Sequence, residues 1–171
     1  RCGRGVGGEL FQHDSQVRDL MRFQLIGLNH KSAPVEVRER LAIPESRLPE
    51  ACKRLSQHPG IDEGMIISTC NRVELIANVQ NGTADLRGFL KDYFQLDPAE
   101  LEQHFYEYRE QDAVRHIFRV ASSLDSMVVG EPQILGQVKE AYATARAVGA
   151  ILGAVHRATA GNPLFVQETV R

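Results

Sequence analysis

The chain has 171 residues, 43% apolar and 25% charged, with 20 basic against 22 acidic side chains and a formal net charge of −2. That balance suits a soluble globular domain with a full hydrophobic core. It excludes a membrane span, for which no apolar run is long enough, and a surface that grips a long nucleic-acid backbone, which would be basic. Three cysteines without a CxxC pair point to a reducing, cytoplasmic setting, and the six histidines show no metal-ligand spacing, so no metal is expected.

Residues 1–20 open with Gly3, Gly5, Gly7 and Gly8, show no sustained strand or helix period, and lack the apolar core of a signal peptide. They read as a disordered or non-native arm, with Met21 the natural start. Phe23 to Leu28 alternates as a strand, Val35 to Leu41 reads as a short helix, and Glu45 to Ser56, opened by Pro44, as a longer one. Met65 to Thr69 and Val73 to Val79 are strands. Thr83 caps a helix over Asp85 to Phe94, Asp97-Pro98 starts another, and His104 to Tyr108 makes a short strand. Asp112 opens a helix with Val114, Ile117, Phe118, Ala121 and Leu124 at helical spacing, and Pro132 to Val148 is the last long one. The succession predicts an α+β sandwich with helices on one sheet face.

Two polar clusters interrupt this frame. In Met65-Ile66-Ile67-Ser68-Thr69-Cys70-Asn71-Arg72, a strand runs into a polar knot before the next strand begins. A thiol there has a rigid base beneath it and solvent above it. Arg72, two residues on, supplies a cation that favours the thiolate, the nucleophilic form. Thr69 and Asn71 are short hydrogen-bonding side chains suited to orienting a carbonyl. The same run also fits a buried structural cysteine beside a surface arginine, since free cysteine is often a small core hydrophobe. In the second cluster, Gly130-Glu131-Pro132 breaks the pattern, Pro132 is preset for a first helical turn, and Glu131 stands at the cap. Gln133 and Gln137 fall four apart on one helix face. Such a helix start suits a ligand with an amino group and carbonyls, and it suits a solvated helix start equally well.

With both clusters in view the chain resembles the N-terminal catalytic domain of glutamyl-tRNA reductase. The resemblance runs from about Phe23 to Gly149 in three blocks: Gly27 to Glu39, Ser68 to Leu75, and His116 to Lys139. It implies a ferredoxin-like core with a helical subdomain, a catalytic domain over residues 21–149, and the start of a long C-terminal helix. Gly149 to Gly153 and Ala160 to Pro163 interrupt that helix, so residues 150–171 read as a divergent helical tail. No G-x-G-x-x-G dinucleotide fingerprint is expected anywhere in the chain. The NADPH-binding and dimerisation domains are therefore expected to be absent from this chain, although the family uses NADPH and the full-length family forms homodimers.

The resemblance implies that the Cys70 thiolate attacks the ester of glutamyl-tRNA. The resulting thioester is reduced by NADPH to glutamate-1-semialdehyde, the first step of tetrapyrrole (porphyrin) synthesis. It makes Thr69 and Arg72 glutamyl-holding residues, with the Arg72 fork pairing a carboxylate. It adds Ser126, Glu131, Pro132, Gln133 and Gln137 to the substrate site, with Glu131 suited to the α-ammonium. It makes His116 a catalytic histidine that adjusts the thiol or protonates the leaving ribose oxygen. The partners implied are the acceptor end of the tRNA and glutamate-1-semialdehyde aminomutase. His30 is read as fixing the turn after the first strand, and Cys52 as core packing. Two other readings stand beside the reductase domain: a non-reducing relative that binds charged tRNA or a partner enzyme, and a cysteine-dependent esterase built on Cys70 and His116.

Overall fold

The computed structural model describes residues 22–80, 84–128, 130 and 132–150. Four strands form one sheet: β1 (Phe23–Asn29), β2 (Ile61–Ser68), β3 (Arg72–Val79) and β4 (Tyr106–Arg109). Their spatial order is β2-β3-β1-β4, and every neighbouring pair is antiparallel. Five helices accompany them: α1 (Val35–Leu41), α2 (Leu48–Ser56), α3 (Leu86–Phe94), α4 (Glu110–Ala121) and α5 (Gln133–Ala147). Strand–helix–hairpin–helix–strand in this order is the ferredoxin-like arrangement the resemblance implies.

Register divides the side chains of the sheet into two sets. Leu25 faces Ile76, Gly27 faces Glu74 and Asn29 faces Arg72, so Arg72, Glu74, Ile76 and Asn78 share one face. Val73, Leu75, Ala77 and Val79 share the other. Both sets are buried, for every residue of β1 and β3 is inaccessible. Leu55 of α2 lies against the second face, where a Cβ on Gly64 would meet it at 2.7 Å. The first face is covered by α4, whose His116 ring stacks on Tyr108 of β4 at 4.6 Å. The expectation of helices on one sheet face is corrected here. The polar set Arg72, Glu74 and Asn78 imitates a solvated face, but all three are buried, Arg72 pairing with Glu74 and Glu74 with His116 of α4.

The expected helix from Glu45 to Ser56 divides into a 3-10 turn, Glu45–Arg47, and α2. Pro49 sits in the first turn of α2, and an unbroken helix from Glu45 would need the N–H that proline lacks. β2 starts at Ile61 instead of Met65, because Asp62 pairs with Arg22 and accepts from Gln80, which gives its charge a place on a strand. The 3-10 run Pro98–His104 begins at Asp97, whose side chain caps Ala99, and leads into β4. Asp85 caps α3 through Gly88; the predicted cap Thr83 lies outside the described residues. α4 begins two residues before Asp112, and α5 begins at Gln133 with Pro132 as its flanking residue.

Candidate active site

Cys70 stands at the apex of the three-residue connection, Thr69-Cys70-Asn71, between β2 and β3, and it is exposed. Cys52, the other cysteine among the described residues, is fully buried on α2, and burial pushes its thiol up. The connection is held from four directions. Thr69 N–H donates to the Arg72 carbonyl at 2.8 Å. Thr69 Oγ1 accepts from the N–H groups of Asn71 and Arg72, each at 3.2 Å. His30 N–H donates to the Asn71 carbonyl at 2.9 Å. Arg38 of α1 donates through Nε to the Cys70 carbonyl at 3.2 Å and through Nη1 to Ala33 at 2.8 Å. A hydroxyl has two acceptor positions and one hydrogen. Both acceptor positions of the Thr69 hydroxyl are used inside the turn, and its hydrogen has no acceptor among the described residues.

Beneath the turn lies a buried ionic cluster. The Arg72 guanidinium is 1% exposed, with Nη1 at 2.7 Å from Glu74 Oε1 and Nη2 at 2.5 Å from the Asp125 carbonyl. Glu74 Oε1 also takes the Tyr106 hydroxyl at 2.6 Å and His116 Nε2 at 2.8 Å. Burial pushes the Glu74 carboxyl up, yet the His116 hydrogen bond, the Arg72 charge and the Tyr106 hydrogen bond together hold it below the ordinary carboxylate value. Tyr106 moves the other way: burial, then the Glu74 charge and hydrogen bond, push its hydroxyl far up. A Cβ on Gly27 would meet Glu74 Cγ at 2.7 Å, so the glycine makes room for this carboxylate in the sheet.

The connection from α4 to α5 is fastened to the same cluster. Asp125 Oδ1 receives Lys31 Nζ at 2.6 Å, Oδ2 receives Asn29 Nδ2 at 3.3 Å, and Arg72 Nη2 stands 3.6 Å from Oδ2. Burial raises the Asp125 carboxyl, but the Lys31 hydrogen bond and charge, with Arg72, bring it below its ordinary value. The connection leaves α4 in a Schellman turn: Leu124 N–H bonds the Arg119 carbonyl, Ser123 N–H bonds Val120, and Ser123 adopts φ 60°.

The described site residues expected from sequence separate into four places. Cys70, Thr69 and Asn71 form the turn itself. Arg72 and His116 lie in the buried cluster, so the arginine fork faces Glu74 and Asp125, and the histidine faces Glu74 between Tyr106 and Tyr108. Ser126 sits on the connection, with its hydroxyl accepting from Ser123 at 3.3 Å. Pro132 and Gln133 are exposed at the start of α5, and Gln137, one turn on, is half-buried. Gln137 lines a cavity of about 160 Å³ with Glu45, Ile67, Thr69 and Glu140. This cavity brings Gln137 and Thr69 together from two elements. Glu131 lies outside the described residues.

Sequence reading passed over Glu74, Asp125 and Arg38. The signal for Glu74 was its same-face spacing from Arg72 opposite a glycine. For Arg38 and Asp125, which act across the fold, periodicity gives no signal. His30 holds the turn through its backbone, while its Nδ1 is buried without a hydrogen-bond partner among the described residues. Gly3, Gly5 and Gly8 do reproduce the bare G-x-G-x-x-G spacing, with no strand pattern before them and outside the described residues.

Fold and site together define a ferredoxin-like domain that presents one exposed thiol on a braced hairpin above a buried charge cluster. The chain belongs to the family of glutamyl-tRNA reductase N-terminal domains, whose model matches residues 26–170. It is 74% identical over 131 residues to glutamyl-tRNA reductase 2 of Koribacter versatilis, covering 77% of this chain and 30% of that protein. It is 50% identical over 138 residues to glutamyl-tRNA reductase of Pelobacter propionicus, covering 77% of this chain and 32% of that protein. The solved glutamyl-tRNA reductase of Methanopyrus kandleri superposes with a TM-score of 0.64 at 35% identity, over 79% of this chain and 31% of that one. The chain thus spans about a third of the length of the relatives it matches.

Proposed function

We propose that this domain captures the glutamyl group of glutamyl-tRNA as a thioester on Cys70, the acyl-transfer half of glutamyl-tRNA reduction. One observation carries the reading: Cys70 is exposed at the tip of a turn whose every backbone neighbour is fixed, in a member of this family. The Cys70 thiolate attacks the ester carbonyl, the bond from that carbon to the ribose oxygen breaks, and the ribose oxygen takes up a proton. Thr69, with its hydroxyl hydrogen unspent, donates to an oxygen of the glutamyl group. Gln137, across the small cavity, contributes its amide to the same group, and Asn71, Ser126, Glu131, Pro132 and Gln133 complete the substrate site. His116 acts as a catalytic histidine from within the Glu74 cluster.

A substrate carboxylate that pairs with Arg72 competes with Asp125, whose carboxylate makes the looser contact at 3.6 Å. Glu74, at 2.7 Å, stays as the permanent partner. NADPH supplies the hydride when the thioester is reduced to glutamate-1-semialdehyde. The chain spans about a third of the length of its relatives, and the step proposed for it ends at the thioester. The wider setting follows the family reading: tetrapyrrole synthesis in the cytoplasm, with glutamate-1-semialdehyde aminomutase as a partner.

The test is direct. Purified chain mixed with glutamyl-tRNA and quenched rapidly should gain the mass of one glutamyl group at Cys70, and Cys70→Ser should gain none. An adduct that persists in Cys70→Ser removes the assignment.

A further inference from the structure

A second site lies on the flank of the Cys70 hairpin. The loop after α1 and the tip of α3 enclose a cleft of about 210 Å³ lined by Arg40, Ala42, Ile43, Pro44, Arg47, Tyr93 and Phe94. Arg54 of α2 is not in the lining but rests on the Tyr93 wall, its Cζ 4.9 Å from the centre of the ring, while Arg47 stands 5.9 Å from the same point. Among the described residues no carboxylate lines the cleft. Among the described residues neither Arg47 nor Arg54 has an acidic partner, and Arg40 touches Glu100 at 3.4 Å in an exposed pair. Two arginines thus line the cleft and a third lies against its Tyr93 wall, with one weak counter-charge among the described residues, in a chain whose net charge is −2.

Tyr93 gives the cleft a rigid aromatic wall on which arginines rest. Its ring stacks on Phe89 at 5.5 Å and meets Phe94 edge-on at 5.0 Å, which fixes its direction. Its hydroxyl is shielded from water and has no hydrogen-bond partner among the described residues. A buried hydroxyl without a partner is costly, so the ring is held there by its packing and not by its polar end. The guanidinium fork is matched to phosphate oxygens, and exposed ion pairs such as Arg40–Glu100 give way readily.

The cleft and the thiol are parts of one scaffold. Ile43, in the cleft wall, donates its N–H to Ser68 Oγ at 2.9 Å, two residues before Cys70. Arg38, one turn before the cleft on α1, holds the Cys70 carbonyl. We propose that the Arg40–Arg47 cleft, flanked by Arg54, binds backbone phosphate of the RNA whose ester is presented to Cys70. This rests on the reading of the ester as an aminoacyl-tRNA. An ester fixed at the hairpin carries its polynucleotide with it. The cleft is a cationic recess, with no carboxylate among its described lining residues, tied to that hairpin.

Binding of uncharged glutamate tRNA to the whole chain, followed between about 50 and 200 mM salt, tests this, because each phosphate that the protein no longer neutralises lowers the log K–log salt slope by about 0.7–0.9. Arg47→Gln combined with Arg54→Gln should weaken tRNA binding by about tenfold and flatten the slope by about 1–2. The corresponding double lysine variant should keep most of the slope. Arg115→Gln, which removes an exposed arginine paired with Asp112 on α4, should change neither quantity. Unchanged iodoacetamide reactivity of Cys70 in each variant shows that the hairpin is intact. The proposal is overturned if the double glutamine variant keeps the wild-type slope, if Arg115→Gln loses as much, or if the wild-type chain binds no tRNA. It is overturned equally if inorganic phosphate binds the cleft in an Arg47-dependent way while tRNA affinity ignores Arg47 and Arg54. Loss of tRNA affinity in the double variant of a chain that forms no Cys70 adduct would defeat the thioester reading and leave the cleft standing; the reverse result would defeat the cleft alone.

Discussion

The two faces of the sheet are equally buried and built on opposite principles. One packs Ile26, Leu28, Leu75 and Val79 under α1, α2 and α3, an interior held by area removed from water. The other places Arg72, Glu74, Tyr106 and His116 under α4, with charges and hydrogen bonds meeting on one carboxylate oxygen. A hydrocarbon face tolerates small changes of shape because its forces have no direction. A charge cluster has one arrangement that satisfies it, and here that arrangement aims the start of β3, where Arg72 follows the Cys70 turn. The contrast teaches that this domain separates holding itself together from holding its chemistry in place.

The sharpest way to break that contrast is Glu74→Ala. It strands the buried Arg72 guanidinium and removes the acceptor of His116 and Tyr106, and losing one partner of a buried pair costs about 3–5 kcal/mol. Urea unfolding should show it, and Cys70 adduct formation should fall with it. The acid limb of wild-type stability carries the same signature. Glu74 and Asp125 are held below their ordinary values, so their contribution is present above about pH 4.5 and is lost as pH falls through their lowered folded values. His30, lowered first by burial and then by the Lys31 and Arg72 charges, begins the loss earlier, as pH falls below about 6.5. Glu74→Gln should flatten the part below pH ~4.5 and leave the His30 part alone. If the acid limb of Glu74→Gln overlays the wild type, the charge cluster is not what the domain loses in acid.

Gly27→Ala sharpens the contrast from the partner strand. Its methyl would press on Glu74 Cγ and the Val73 carbonyl, and overpacking of this kind costs about 1–3 kcal/mol. The diagnostic part is coupling: with Glu74→Ala already present, the added methyl should cost less than it does in the wild type. Equal costs in the two backgrounds would mean that the glycine serves the backbone and not the carboxylate.

Ile66→Val marks the small end of the scale. Ile66 is fully buried on the hydrocarbon face, and one methylene there is worth about 0.5–1.5 kcal/mol. Adduct formation at Cys70 should be unchanged when measured on the folded fraction. A loss of adduct rate out of proportion to this small stability change would show that the two faces are not separable after all.

Most of the frame was legible because local chemistry dictates it. Val35 to Leu41 is a helix over its predicted span, the Cys70 run is a strand-to-strand turn, and Asp97-Pro98 begins a helical segment, here of the 3-10 kind. What failed to read was everything settled by a distant partner. Asp62 sits on a strand because Arg22 and Gln80 meet it, and Glu74 is buried because residues 32 and 42 positions away meet it. The candidate site followed the same rule. Cys70, Thr69 and Asn71 were visible as neighbours in sequence. The bracing by Arg38 and Asp125, which joins three separate segments, appears only once the chain is folded.

The edges of the sheet decide what this domain does in company. On the outer side of β2, Gly64 gives its N–H to the carbonyl of Ala150 just beyond α5, and α5 lies along that strand. On the other side β4 is four residues long and stops where Glu110 turns to φ 53°. One margin is therefore occupied and the other too short to template a further strand. Among the described residues the sheet thus leaves little open edge for strand addition, and the Cys70 thiol is displayed away from a free seam of unpaired backbone.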